Sequence, residues 1–401
     1  MLAPTLTATA VDTVGILPIS LIGAMAIQLR DSIGLGTAAL GLQFAAFFAA
    51  AASLSAPVGR LTERIDPAVL LRIGYGLSVA ALLVASLARS PGTLLCATVI
   101  AGVATALTRT TSSVLVARAI PPGRQGLALG VRNCAIPLAA LLAGLAVPTV
   151  ALTIGWRWAF VIGAGLAATF WPRLPRTIPR PPRAGGQTLR DLPLAPSLLL
   201  AMAAGLASAA AASLGAFTAV TAVDAGIGEG AAGILIVAGS VVGVASRIAV
   251  GWWTDRRAGS QLDVVAAMMA IGAVGYGLMS SGEHQLVWLA VPIAYAAGWA
   301  FYGSYYLSII RLNPVAPGSA LGIAQMGSFA GSIAGPLALG EIAHRSSFAM
   351  AWTVAAVLAV TAGVVTAIVE VMSRTGNRSS QPRTLDSPHT KPQKRGAHDR
   401  R

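Results

Sequence analysis

The sequence predicts an all-α membrane protein of twelve transmembrane helices, arranged as two six-helix bundles related by a pseudo-twofold axis along the membrane normal. Three observations carry that expectation. The composition is too apolar for a water-soluble core, apolar runs of membrane-crossing length recur from end to end, and the second half of the chain repeats the first at one fixed offset.

Composition excludes an ordinary soluble domain. Of 401 residues, 55% are hydrophobic and only 10% are charged, against roughly 25% charged in a typical soluble protein. Only helices and closed barrels satisfy every backbone hydrogen bond inside lipid, and runs of this length read as helices. The first run lacks a basic flank and a cleavage site and reads as a span, not a cleavable signal. A net charge of +14 invites a nucleic-acid reading. Here, however, the basic residues are scattered over short loops and a polar tail, without the interleaved aromatics of a single-strand binder. Cys96 and Cys134 fall in different spans at different depths, so two structural thiols are expected and no disulfide.

Breaks of proline, glycine and charge divide the apolar sequence into spans near 8–29, 37–57, 68–89, 93–116, 126–150 and 154–171, then 197–222, 229–250, 263–281, 285–309, 319–340 and 347–371. The expected organisation is an N-terminal bundle (1–171), a proline-rich cytoplasmic linker (172–196), a C-terminal bundle (197–372) and a disordered basic tail (373–401). Arginine sets the orientation. With the N-terminus inside, the cytoplasmic segments collect Arg60, Arg64, Arg118, Arg124, Arg247, Arg256 and others, while the opposite face holds only Arg30, Arg89, Arg157 and Arg345. Both termini are therefore expected in the cytoplasm, the chain being a multi-pass protein of a bacterial inner (plasma) membrane.

The repeat runs at an offset of 192 residues. Gly23 maps to Gly215, Gly34 to Gly226, Gly36 to Gly228, Gly41 to Gly233 and Gly59 to Gly251, and Arg64 maps to Arg256. Six spans per half is an even number, so both halves enter the membrane from the same side and form parallel repeats.

The loop after span 2 reads Gly59-Arg60-Leu61-Thr62-Glu63-Arg64, and the loop after span 8 reads Gly251-Trp252-Trp253-Thr254-Asp255-Arg256. Glycine lets two helices approach closely. The acid can answer the positive N-terminal end of a neighbouring helix while pairing with an arginine. These loops and the six-plus-six layout resemble the major facilitator superfamily. The resemblance implies transport by alternating access and a conformational latch at Gly59, Glu63 and Arg64 and at Gly251, Asp255 and Arg256. The first copy departs from the pattern, with Asp66 standing where a second glycine is usual. Span 5, Gly130-Val131-Arg132-Asn133-Cys134-Ala135-Ile136-Pro137, resembles the cyanate/nitroimidazole-type branch.

Candidate substrate residues follow from charge in apolar surroundings. Arg109 in span 4 and Arg132 in span 5 lie at similar depth on either side of the Pro121-Pro122 turn, with no acid in either span to neutralise them. Intramembrane charges face a cavity or a partner, so the pair is a candidate site for an anionic group. Helix-end contacts and snorkelling are the competing readings. Asn133 and its repeat partner Gln325 are candidate polar contacts from the two halves, or packing amides. Trp299 and Tyr302 share a face of span 10 and are candidate cavity residues. Asp12 is a candidate proton carrier, against the reading of a solvated residue near the span's end.

The expected function is secondary transport of a small polar solute, anionic where the arginine pair binds it, by a monomer, coupled to a proton where Asp12 takes part. A multidrug/proton antiporter and a non-transporting receptor or scaffold are the alternatives. No phosphate-binding loop, zinc-ligating helix or nucleophile elbow is present, so no cofactor, no metal and no enzymatic activity are expected.

Overall fold

The computed structural model describes residues 2–178, 194–257 and 259–379, and among them every regular element is helical. Span 1 is α1 (Leu2–Ala24) with the short α2 (Ala26–Ile33), followed by α3 (Thr37–Arg64), α4 (Pro67–Ser86) and α5 (Pro91–Ala119). Span 5 is α6 (Gln125–Arg132) and α7 (Ala135–Ala146) with a π turn beyond, and span 6 is α8 (Trp156–Phe170). The second half repeats this with α9 (Leu194–Asp224), α10 (Glu229–Thr254) and α11 (Leu262–Met279). Span 10 is α12 (His284–Ile293), a π segment (Ala294–Gly298) and α13 (Tyr302–Leu312); α14 (Pro317–Arg345) and α15 (Phe348–Ser379) complete the bundle.

Local chemistry explains the boundaries. Pro67, Pro91 and Pro317 open their helices, where a missing N–H costs nothing. Ser90 and Thr93 form a capping box at α5. Asp66 caps α4 by accepting the Ala68 N–H at 2.9 Å, which accounts for an acid at a position where the resembling loops carry glycine. Gly34 and Gly226, one repeat apart, both take positive φ (72° and 79°) where span 1 and span 7 turn into the next helix.

Among the described residues, ten helical stretches are long and apolar enough to cross a membrane. The two expected spans outside that set have physical reasons. α8 is only 15 residues long, and α14 is rich in glycine and serine because it packs against α3 and α9 on several faces. Large apolar side chains point outward along single faces, such as Ile234, Val237 and Val241 on α10 and Val357, Val360 and Val364 on α15. Faces of this kind suit lipid and would be a liability in water.

Spans 5 and 10 are not the continuous helices the sequence suggests. Span 5 breaks at Asn133–Cys134, and span 10 opens into a π segment and a turn after Pro292, which withdraws one donor from the helical ladder. The last helix runs to Ser379, into the stretch expected to be tail. The rest of that tail, and most of the 172–196 linker, lie outside the described residues.

The halves meet along two seams, α3 against α14 and α6 against α10. The contacts are reciprocal. A Cβ on Gly126 would stand 2.7 Å from Thr254 Oγ1 and also strike Gly251 O, and one on Gly318 would strike Thr62 Oγ1 and stand 3.1 Å from Gly59 O. Gly130 abuts the Arg247 carbonyl as Gly322 abuts the Ser55 carbonyl. Each member of one contact is 192 residues from its counterpart in the other, the signature of a twofold interface.

Candidate functional site

The two acidic loops sit at these seams. Glu63, in the last turn of α3, accepts the Gly318 N–H at 2.8 Å and Arg118 Nη2 at 2.9 Å. Gly318 lies in the first turn of α14, where backbone N–H groups have no intrahelical acceptor and the helix end is positive. In the other half, Asp255 accepts Gly126 N–H at 2.6 Å and Leu127 N–H at 2.9 Å at the start of α6. Each acid therefore ties its own half to a helix N-terminus of the other. The arginine of the second loop differs from the sequence expectation, and the first loop receives one from another helix. Arg118 holds Glu63 Oε2, and Arg256 donates to the Trp252 carbonyl and stacks on its ring, not on Asp255. Adjacent residues at a helix end do not face each other, and Arg118 arrives from the end of α5. Gly126 and Gly318 stand one repeat apart, so the offset already carried their signal.

Beneath the seams lies a buried ionic cluster. Asp12, on α1, is 1% exposed. It accepts the Ser112 hydroxyl at 2.6 Å and pairs with Arg132 Nη2 at 2.8 Å. Arg132 is fully buried, donating Nε to Ser112 Oγ at 2.9 Å and Nη2 to the Arg109 carbonyl at 2.8 Å. The reading of Asp12 as a solvated residue is thus overturned, and so is the equivalence of the two arginines. Arg132 is neutralised by an acid from span 1, a neighbour that spacing within spans 4 and 5 cannot reveal. Arg109, 4% exposed, has no ion-pair partner among the described residues. Its Nη2 reaches Asn133 Oδ1 at a long 3.5 Å, and its Nε has no acceptor.

Arg109 lies on the wall of a cavity of about 920 Å³ between the halves. Trp299, Tyr302 and Tyr306 join it there, with Phe44 and Phe48 of α3, Phe217 of α9, and Phe329 and Leu337 of α14. The halves touch around Gly59, Gly126, Gly251 and Gly318 and part toward the other end, where Gly41, Gly144 and Gly233 face open space. The cavity is closed at the seam face. Arg132, Asn133 and Gln325 do not line it. Asn133 Nδ2 bonds the Leu129 carbonyl at 2.8 Å, Gln325 is buried with its carboxamide unpartnered, and no hydrogen bond joins the two amides.

Arg247 reads in the sequence as a loop charge, yet it is 5% exposed within α10. Its position inside an otherwise apolar span was the available signal. Its Nη2 donates to the Trp299 carbonyl at 3.2 Å and its guanidinium lies 5.8 Å from the Trp299 ring. The preceding Ser246 donates to Ala296 O at 2.5 Å. Two adjacent residues of span 8 thus satisfy carbonyls freed by the break in span 10 and hold Trp299 at the cavity. Arg247→Gln is expected to speed amide hydrogen exchange in residues 294–303 about tenfold, with Arg247→Lys intermediate. Unchanged exchange would remove the pinning role.

Comparisons with known proteins agree with this architecture. The family profile of the Major Facilitator Superfamily matches residues 13–316. A curated relative, the uncharacterized MFS-type transporter Rv1250 of Mycobacterium tuberculosis (strain ATCC 25618 / H37Rv), is 35% identical over 124 residues, which are 29% of this chain and 21% of that protein. The chain therefore matches about a fifth of that relative's length. Among solved structures, the transporter FucP in the outward conformation superposes with a TM-score of 0.76 at 13% identity, covering 91% of this chain and 98% of that one. The proton:xylose symporter XylE, bound to 6-bromo-6-deoxy-D-glucose, gives 0.71 at 16% identity over 90% and 94%. At such identities the structures speak for the fold alone. With two six-helix bundles, reciprocal acidic loops and a cavity between them, and with a family match over most of its length, this chain belongs to the major facilitator superfamily and is a multi-pass membrane protein.

Proposed function

We propose that the protein is a secondary transporter that moves a small anionic solute by alternating access, with Arg109 as the anion contact. The carrying observation is a buried guanidinium on the cavity wall that lacks a carboxylate partner. Burying a charge in a bilayer is costly unless something answers it. Asp12 and Arg132 cancel each other, so the cluster of two arginines and one acid keeps one positive charge for an incoming anion. That charge also disfavours the cationic compounds a multidrug/proton antiporter would export.

Asp12 is the proposed coupling carboxylate. Protonation would release Arg132 from its partner and raise the cluster by one positive charge, so proton and anion would favour each other's binding, and such coupling is reciprocal. The bundles 1–171 and 197–372 are the proposed rocking bodies, each carrying one latch acid. The arginine bias of the seam face supports a cytoplasmic side for it and for both termini, in a bacterial inner membrane. The cavity then opens outward.

The test is titration of the purified protein with benzoate, together with its uptake into proteoliposomes. Arg109→Gln is expected to weaken binding by about 1.5–3 kcal/mol, one to two decades. Arg109→Lys should restore little, because an ammonium lacks the planar fork that grips a carboxylate. Uptake separates a transporter from a receptor or scaffold. Unchanged affinity in a folded Arg109→Gln variant would remove Arg109 from the site.

A further inference from the structure

The cavity is graded from one end to the other. Its deepest residues are Arg109 on α5 and Tyr306 on α13, which lie toward the seam ends of their helices. Phe44 and Leu337 lie toward the opposite ends of α3 and α14. From Ser55, where α3 meets α14, to Phe44 is about 16 Å at 1.5 Å per residue. Positive charge therefore sits on the floor and apolar rings make up the walls.

The hydroxyls near that floor and wall are largely committed. Tyr302 shares a 2.7 Å hydrogen bond with Ser208, Ser332 donates to the Ser328 carbonyl at 2.9 Å, and Ser328 donates to the Ala324 carbonyl at 3.2 Å. A polyhydroxylated solute would lose its water without matching partners, a desolvation cost that polar groups cannot recover here. An inorganic anion would answer Arg109 and leave the aromatic wall unused. The volume is that of a pocket for an organic molecule.

Building on the anion-site reading above, we infer that the substrate is an amphipathic organic monoanion of the aromatic carboxylate class, bound head-down. Its carboxylate meets Arg109 on the floor and its ring body lies between Phe44 and Phe329 of one seam pair and Phe217 opposite. One cation on the floor, without a carboxylate partner, selects a single negative charge. The aromatic wall selects a flat apolar body, because ring faces and edges pack favourably.

Four probes test this by calorimetric titration: 1-naphthoate, benzoate, nitrate and neutral 1-naphthylmethanol. Naphthoate is expected to bind roughly tenfold tighter than benzoate and at least a hundredfold tighter than nitrate. Arg109→Gln should weaken both carboxylates by one to two decades and leave naphthylmethanol unchanged. Phe329→Ala should weaken naphthoate about tenfold without affecting nitrate, and Phe217→Leu serves the same purpose if the first variant fails to fold. Arg109-dependent nitrate binding as tight as that of naphthoate would overturn the amphipathic class while leaving the anion site standing. Naphthylmethanol binding as tightly as naphthoate, indifferent to Arg109→Gln, would overturn both. No saturable naphthoate binding at millimolar concentration would overturn the class as well, and Arg109-dependent binding of any other anion would show that the site reading survives it.

Discussion

Asp12→Asn is expected to destabilise the folded protein by about 3–5 kcal/mol, the cost of leaving a buried charge without its partner. Arg132 is fully buried, and Asp12 is its only described ion-pair partner. The asparagine keeps the shape and can still accept from Ser112, so the loss isolates the charge. Arg132→Met should be comparably damaging, because it strands the Asp12 carboxylate. The double variant Asp12→Asn/Arg132→Met should cost less than the sum of the two, since neither charge is then left alone. Thermal unfolding midpoints in one detergent measure all three. A second readout separates a coupling role from a structural one. Asp12→Asn leaves two positive charges in the cluster, so benzoate should stabilise it more than it stabilises the wild type. Additive losses and an unchanged ligand response would reduce the pair to packing.

The second large effect lies at the seams. The doubly substituted Glu63→Gln/Asp255→Asn variant removes two charges that each accept backbone N–H donors at a helix N-terminus. Charge-assisted bonds of this kind contribute about 1.5–3 kcal/mol apiece. Losing both should shift the balance between conformations by about 3 kcal/mol or more, roughly a hundredfold. Gly322→Val should act in the same direction by steric means, because a Cβ there would stand 3.0 Å from Gly59 Cα and would strike the Ser55 carbonyl. The measurement is modification of Leu337→Cys by a membrane-impermeant thiol reagent, with Cys96 and Cys134 replaced by alanine. Leu337 lines the end of the cavity away from the seams. Its reactivity should fall as the seam face opens and that end closes. If neither variant changes it, the acids set topology and do not latch the halves.

The membrane class, the number of spans and the twofold were written into the sequence. Apolar length decides what crosses a bilayer, and glycines repeated at one offset report positions where helix backbones must approach. Asp66 illustrates the limit of family pattern: it breaks the motif and is put to use as the cap of α4. The breaks in spans 5 and 10 were harder to see. Pro137 and Pro292 are visible in the sequence, but whether a proline bends or opens a helix depends on which neighbours satisfy the freed carbonyls. In span 10 Ser246 and Arg247 answer the Ala296 and Trp299 carbonyls, and they come from another span.

The site divides along the same line. The sequence by itself determined that Arg109 and Arg132 are rare charges in apolar spans and that Glu63 and Asp255 are equivalent acids, because charge in lipid is conspicuous against its local background; it left Asp12 between a span and its solvated end. Only the tertiary structure decided how those charges pair. Asp12 belongs to Arg132, Arg118 serves Glu63, and Arg109 is left facing the cavity, although nothing in their sequence separations distinguishes these pairings from the alternatives. Ion pairing depends on distances of a few ångströms between side chains of different helices, set by how helices pack. Hydropathy and spacing describe one helix at a time.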